Sequence, residues 1–137
     1  MADTRTRLSM LWVFAMLNFL YADVIALFDI VYNGKGVAES MQFTPATLIG
    51  VSVLMEIPMA MVILSRVLKY KANRWANIFA GIAYTAVTLI TQFILPISNG
   101  TTKSYYLFFG IIEILTTAFI VWHAWKWTET DSPHAHP

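Results

Sequence analysis

The sequence contains no cysteine. Disulfide bonds, thiolate metal sites and cysteine nucleophiles are therefore excluded. The motifs HExxH, GxGxxG and GxSxG and the P-loop are absent as well, so the common metalloprotease, nucleotide-binding and hydrolase classes have no support. No nucleophile and base can be paired along the chain. An enzyme is therefore the least favoured interpretation, and the sequence names no catalytic residue, metal or cofactor.

Charged residues are also scarce. They make up 12% of the chain, whereas a soluble domain usually carries about 25%. Hydrophobic residues make up 58% of only 137 residues. A domain of this size buries too small a fraction of its surface to hide so much apolar area from water. We therefore expect residues 1–137 to form one domain whose surplus apolar surface faces lipid.

The apolar residues fall into four long runs. Each has about 20 residues or more, which is the length that a helix needs to cross a hydrocarbon core of about 30 Å. Thr44 and Pro45 are suited to the N-cap and first position of the second helix, and Pro96 is expected to end the third. The sequence thus predicts an all-α membrane protein, a bundle of four transmembrane helices at about 8–31, 45–68, 75–95 and 105–127. Residues 37–43 are a candidate for a short helix on the outer leaflet.

Basic residues predict the orientation, because lysine and arginine in short loops concentrate on the cytoplasmic side. One side of the four spans holds seven of the nine basic residues, and the other side holds only Lys35 and Lys103. Both termini are therefore expected in the cytoplasm. A cluster of four basic residues in and beside the second loop suits anionic lipid headgroups rather than nucleic acid: Arg66, Lys69, Lys71 and Arg74.

The two halves of the chain resemble each other. Trp12 and Tyr21 match Trp75 and Tyr84 at an offset of 63 residues, and Glu56 matches Glu113 at an offset of 57. Because each half starts and ends on the same side, this pattern predicts a parallel repeat of two helices about an axis along the membrane normal. Chance similarity among apolar helices explains the same matches equally well.

Two acids lie near the middle of predicted spans, Glu56 in the second and Glu113 in the fourth. A charged group there costs about 2.5–3.5 kcal/mol on insertion scales and usually faces the interior of the bundle. Asn18 lies at a similar depth in the first span. Asp23 lies farther out and does not share the face of Asn18, so its partner is not evident.

Helical spacing places other polar residues on the same faces as these groups. Tyr84 lies on a polar stripe of the third span, Thr117 is four residues after Glu113, and Ser52 is four residues before Glu56. These stripes are expected to meet inside the bundle and to form a midplane site. Its candidate ligand- or ion-binding residues are Glu56, Glu113, Tyr84, Asn18, Tyr21, Ser52 and Thr117.

Two interpretations of this site remain open. Small and hydroxyl residues often serve only for helix packing and hydrogen bonding across helices. An acid without a basic partner favours instead a protonated carboxyl, a water-filled cavity or a bound cation. Pro58 adds an acceptor nearby, because its ring leaves the Leu54 carbonyl without its helical donor.

The chain resembles an uncharacterised bacterial family of small four-span membrane proteins, a domain of unknown function. The resemblance covers most of the chain and is carried by segments that include Leu8-Ser9-Met10-Leu11-Trp12, Glu56-Ile57-Pro58, Asn73-Arg74-Trp75-Ala76-Asn77 and Ala124-Trp125-Lys126-Trp127. It implies a multi-pass protein of the bacterial inner (cytoplasmic) membrane. It supplies no activity, substrate or functional residue.

The leading hypothesis is a protein that binds or transports a cation, a proton or a small basic amphiphile at the midplane acids. The alternative is a non-catalytic accessory or scaffold subunit of a larger membrane complex. Either hypothesis allows a homo-oligomer, and neither involves nucleic acid.

The orientation is testable by cysteine labelling, since the chain has no cysteine of its own. We expect Lys103→Cys to react with a membrane-impermeant thiol reagent in intact cells and Lys71→Cys to react only after the cells are opened. Labelling of position 71 in intact cells would reverse the topology.

Overall fold

The computed structural model describes residues 3–33 and 44–131. The predicted outer-leaflet helix at residues 37–43 lies outside these ranges. Helix α1 spans Thr4–Asn33, α2 Pro45–Val67, α3 Tyr70–Thr88, α4 Leu95–Asn99 and α5 Ser104–Lys126. A π-helix, Leu89–Ile94, joins α3 to α4, and a short 3-10 helix, Glu129–Asp131, follows α5. The described residues contain no strand.

Four helical segments of the described chain are long and apolar enough to cross a membrane: Thr4–Asn33, Pro45–Val67, Tyr70–Ser98 and Ser104–Lys126. This confirms the predicted four-helix, multi-pass membrane architecture. The start of α2 forms as predicted, since Thr44 Oγ1 accepts a hydrogen bond of 3.2 Å from the Thr47 amide and Pro45 is the first helical residue.

The sequence predicted that the third span ends at Pro96, but the helix continues past this residue. The chain changes from α to π geometry at Leu89, and Pro96 then lies in the first turn of α4. The Leu95 amide bonds to the Ile90 carbonyl, five residues back. Proline has no amide hydrogen to donate, and the first turn of a helix tolerates this loss. The span therefore continues to Asn99, where Gly100 ends it with a left-handed φ of 67°.

The helices pack in a ring. Helix α1 contacts α2 and α5, and α3 contacts α5 and, less extensively, α2. Trp12 and Tyr84 are buried at the centre with their rings edge to face, 6.0 Å between centroids. Large apolar side chains cover the outside, which fits a surface in contact with lipid, and they include Phe14, Leu27, Val53, Ile82, Phe108 and Leu115.

A polar cluster joins three helices toward the end of the bundle that carries Arg5, Arg66 and Lys126, here called the basic end. The Asn77 carboxamide oxygen accepts hydrogen bonds from Trp12 Nε1 at 2.7 Å and from Ser65 Oγ at 3.3 Å. Asn73 donates to the Ser65 carbonyl at 2.6 Å, and Asn77 donates to Asn73 Oδ1 at 2.7 Å. All four of these polar and indole side chains are fully buried or nearly so.

An ion pair stabilises the end of the bundle opposite the basic end. Lys103 Nζ lies 3.3 Å from Asp29 Oδ2, and Tyr105 donates to the same oxygen at 3.1 Å. Asn33 donates to the other oxygen at 2.7 Å. These contacts connect the end of α1 to the start of α5.

The close packing of α3 on α5 depends on Gly81. A Cβ at this position would lie 2.5 Å from Val121 Cγ2 and 3.2 Å from the Thr117 carbonyl oxygen. We expect Gly81→Ala to lower the free energy of unfolding by about 1–3 kcal/mol, because the two helices must move apart. Thermal unfolding in detergent measures the effect.

The matched control is Gly50→Ala, since nothing lies within 4 Å of a Cβ at Gly50. It should leave the stability unchanged or slightly higher, as alanine is the better helix former. Equal losses in the two variants would contradict the role of Gly81 in packing.

Candidate functional site

Glu113 is the acid that the bundle encloses. It is fully buried, nearly halfway along α5. Its Oε2 accepts a hydrogen bond of 2.6 Å from Gln92 Nε2 and a weaker one of 3.4 Å from Thr88 Oγ1. Both donors come from the α3–π-helix segment that packs on α5. The prediction that Glu113 faces the interior is confirmed.

Gln92 reaches Glu113 because of two backbone features. It lies within the π-helix, a geometry that often marks functional positions. It also occupies space that exists only because residue 110 is glycine, since a Cβ there would lie 2.5 Å from Gln92 Oε1. Gln92 was not among the predicted site residues, although its position four residues after Thr88 places both on one helix face.

Three polar atoms near the middle of the bundle are buried without a hydrogen-bond partner in the described chain. They are Glu113 Oε1, Gln92 Oε1 and Asn18 Nδ2. Such atoms are costly to bury unless something pairs with them. Two of the three are acceptors on residues that already touch each other, so the site can accept a proton or a cation.

Asp23, for which the sequence offered no partner, is exposed on α1 and is hydrogen-bonded to no other side chain of the described chain.

Thr117 lies one turn from Glu113 toward the basic end. It is fully buried, donates 2.9 Å to the Glu113 carbonyl oxygen and shares a 2.8 Å hydrogen bond with Thr85 Oγ1. These contacts hold α3 to α5 beneath the acid. Thr117 thus bonds to the backbone of Glu113, and its hydroxyl makes no hydrogen bond to the Glu113 carboxyl among the described residues.

Tyr84 is buried as predicted, but its partner is different. Its hydroxyl donates to the Leu54 carbonyl rather than to Glu56 or Glu113. That carbonyl is the one that Pro58 deprives of its helical donor. The predicted extra acceptor therefore exists, and Tyr84 occupies it.

Three predicted site residues have side chains on the outer surface of the bundle. Glu56, Ser52 and Tyr21 are exposed, so the expectation that both acids face one interior is wrong for Glu56. The buried face of α2 carries Pro58, Met61 and Ser65. Ser65 is nine residues from Glu56, which places the two side chains on roughly opposite sides of the helix. The contacts of Ser65 with Asn73 and Asn77 select this face.

The pairs matched by the proposed repeat have different surroundings. Glu56 and Tyr21 are exposed, whereas Glu113 and Tyr84 are buried. Trp12 is buried and Trp75 is exposed. The repeat stays a prediction, and its matched side chains do not form equivalent sites.

Comparison with known proteins identifies the family. Residues 2–133 match the family described as "Family of unknown function (DUF6326)". The chain belongs to this family. The match confirms the resemblance to a family of unknown function, and DUF6326 assigns no role to Glu113 or to any other residue. No curated protein and no solved structure matches the chain.

Among the residues that the structure describes, no group of three or more His, Cys, Asp or Glu side chains could hold a metal ion.

The hydrogen bond from Tyr84 to Leu54 is testable by a double-mutant cycle. Tyr84→Phe leaves the Leu54 carbonyl buried without a donor and should lower the free energy of unfolding by about 1–3 kcal/mol. In a Pro58→Ala background the amide of residue 58 can bond to that carbonyl, so Tyr84→Phe should cost clearly less there. Chemical unfolding of the four proteins measures the coupling, and an equal cost in both backgrounds would refute this pairing.

Proposed function

We propose that the protein binds a proton or a small monovalent cation at the Glu113 carboxyl and exchanges it with one side of the membrane. The observation that carries this proposal is the fully buried Glu113, which has one oxygen held by Gln92 and the other without a partner. The multi-pass membrane architecture supplies the setting.

The energetic argument begins with the missing positive charge. A buried carboxylate is very costly unless it is protonated or paired with a cation. Within the described residues Glu113 receives hydrogen bonds only from an amide and a hydroxyl, and neither carries charge. A bound proton or cation would neutralise this carboxylate.

The atoms available to coordinate a cation at this site are all oxygens. Glu113 Oε1 and Gln92 Oε1 are free to coordinate, and Thr88 Oγ1 adjoins Glu113 Oε2. Oxygen ligands suit hard cations and protons. A small basic amphiphile fits less well, because Glu113 has no exposed surface to receive it.

Access is expected from the end that carries Asp29. Asp23 is exposed and lies between Glu113 and Asp29 in the direction of that end. In the direction of the basic end, Tyr84, Trp12 and Asn77 are buried and packed together. With the basic end in the cytoplasm, exchange would occur on the outer side of a bacterial cytoplasmic membrane.

The basic end would contact anionic lipid headgroups. Lys69 and Lys71 are exposed, so their ammonium groups are available. Arg66 and Arg74 are partly engaged, since Arg66 donates to Ser9 Oγ at 3.2 Å and Arg74 donates to the Trp125 carbonyl at 3.0 Å. The two lysines would therefore provide most of this contact.

The alternative is an accessory subunit without its own ligand. The observation that favours it is the outward position of Glu56, a polar group on a surface that should face lipid. Under this alternative the protein would purify together with a different membrane protein, and changes at Glu113 would affect only stability.

The test compares Glu113→Gln with the wild type. Raising the pH removes the proton and leaves a buried charge, so the wild-type unfolding temperature should fall as the pH rises. At high pH it should recover when Na⁺ or Li⁺ replaces a bulky organic cation in the buffer. Glutamine cannot ionise, so Glu113→Gln should fold and lose both responses. Thermal unfolding of the purified proteins across pH and cation type provides the measurement, and a pH-sensitive dye in liposomes reports proton movement.

The matched control is Glu56→Gln, which makes the same chemical change on the exposed face. It should keep the wild-type responses. If Glu113→Gln responds to pH and cations as the wild type does, the Glu113 site binds neither, and the accessory-subunit alternative leads.

A further inference from the structure

We propose that the outward face of α2 around Glu56 binds the same face of a second copy of this chain. The two copies would be related by a twofold axis along the membrane normal, with the two Glu56 carboxyls paired near that axis. The contact face, here called the Glu56 stripe, consists of Ser52, Glu56 and Ala60. The inference is independent of the Glu113 site.

The position of Glu56 makes a partner necessary. It is the twelfth of the 23 residues of α2, so about 16 Å of helix separates it from either end. Its side chain is exposed on the face roughly opposite the buried Ser65. At this depth a side chain on the outside of one copy would meet hydrocarbon, which can neither donate nor accept a hydrogen bond.

Among residues 3–33 and 44–131, no hydrogen bond or ion pair joins Glu56 to another side chain. Ser52, one turn away, already donates its hydroxyl to the Leu48 carbonyl of its own helix at 2.9 Å. The nearest basic side chain along α2 is Arg66, ten residues away or about 15 Å along the helix axis. A second copy in the same orientation therefore cannot bring a cation to Glu56.

A second copy does bring another Glu56. In an isologous interface a residue near the twofold axis meets itself, and an axis along the membrane normal keeps both copies at the same depth. A protonated carboxyl has one donor and one acceptor. Two such groups satisfy each other through two reciprocal hydrogen bonds, so the face is self-complementary without any charge.

The neighbouring positions permit the approach. Ser52 and Ala60, one turn before and one turn after Glu56, are small and exposed. Small residues at four-residue spacing let transmembrane helices come close. Ile49, Met59 and Ile63 flank the stripe and would pack around the carboxyl pair.

Cross-linking tests the geometry, since the chain has no cysteine that would interfere. In lipid bilayers we expect Ser52→Cys and Ala60→Cys to give efficient dimers with a short bis-maleimide. Ile82→Cys is the control, because Ile82 is similarly exposed on α3 at a comparable depth. It should give little dimer. Preferential cross-linking through position 82, or a product with a different protein when native membranes are treated, would overturn the proposal.

Substitution of Glu56 tests the carboxyl pair. Glu56→Gln keeps a donor and an acceptor, and its dimer should dissociate nearly as the wild type does. Glu56→Leu removes both and should raise the dimer dissociation constant in lipid about tenfold. Energy transfer between labelled copies at increasing lipid dilution gives the constants.

Unchanged helical content and detergent unfolding temperature show that each variant is folded. A wild type that is monomeric at every dilution, or a Glu56→Leu variant as dimeric as the wild type, would refute the inference.

Discussion

The Asn77 side chain is the point at which three of the four spans are joined. Its oxygen accepts from Trp12 of α1 and Ser65 of α2, while its nitrogen donates to Asn73 within α3. In a membrane, burial of apolar surface contributes little to helix association, because lipid is as apolar as the helix surface. Association is therefore driven by van der Waals packing and interhelical hydrogen bonds. Asn77 supplies this connection, and it selects the faces that α1, α2 and α3 turn toward one another.

The rotation of α2 illustrates this dependence. Once Ser65 faces Asn73 and Asn77, Pro58 and Met61 face inward as well. The carbonyl that Pro58 leaves free then points toward α3, where Tyr84 donates to it. Every backbone acceptor inside a bilayer requires such a donor. The same rotation turns Glu56 outward, so the placement of that acid follows from hydrogen bonds made elsewhere on the helix.

Sequence reasoning predicted the spans better than it predicted their faces. Length and hydropathy define a membrane helix, and the cap formed by Thr44 and Pro45 follows from local chemistry. The inward face is harder to predict, because the outside of a membrane helix is as apolar as the inside. The stripe of Ser52 and Glu56 and the face of Ser65 were both polar, and only tertiary contacts distinguish them. Gln92 was missed because spacing alone does not show that the π-helix and the space beside Gly110 bring its amide to Glu113.

The two midplane acids lie in opposite environments, although both are glutamates in the middle of apolar spans. Glu113 receives donors from Gln92 and Thr88, and Gly110 provides the space that Gln92 needs. Helix α2 offers Glu56 no comparable group, because its polar neighbours on the inward side serve Asn73 and Asn77. Glu113 is thus hydrogen-bonded to other side chains of its own chain, whereas Glu56 is exposed on the outward face of α2. The two carboxyls therefore call for separate experiments, one on ligand binding and one on association.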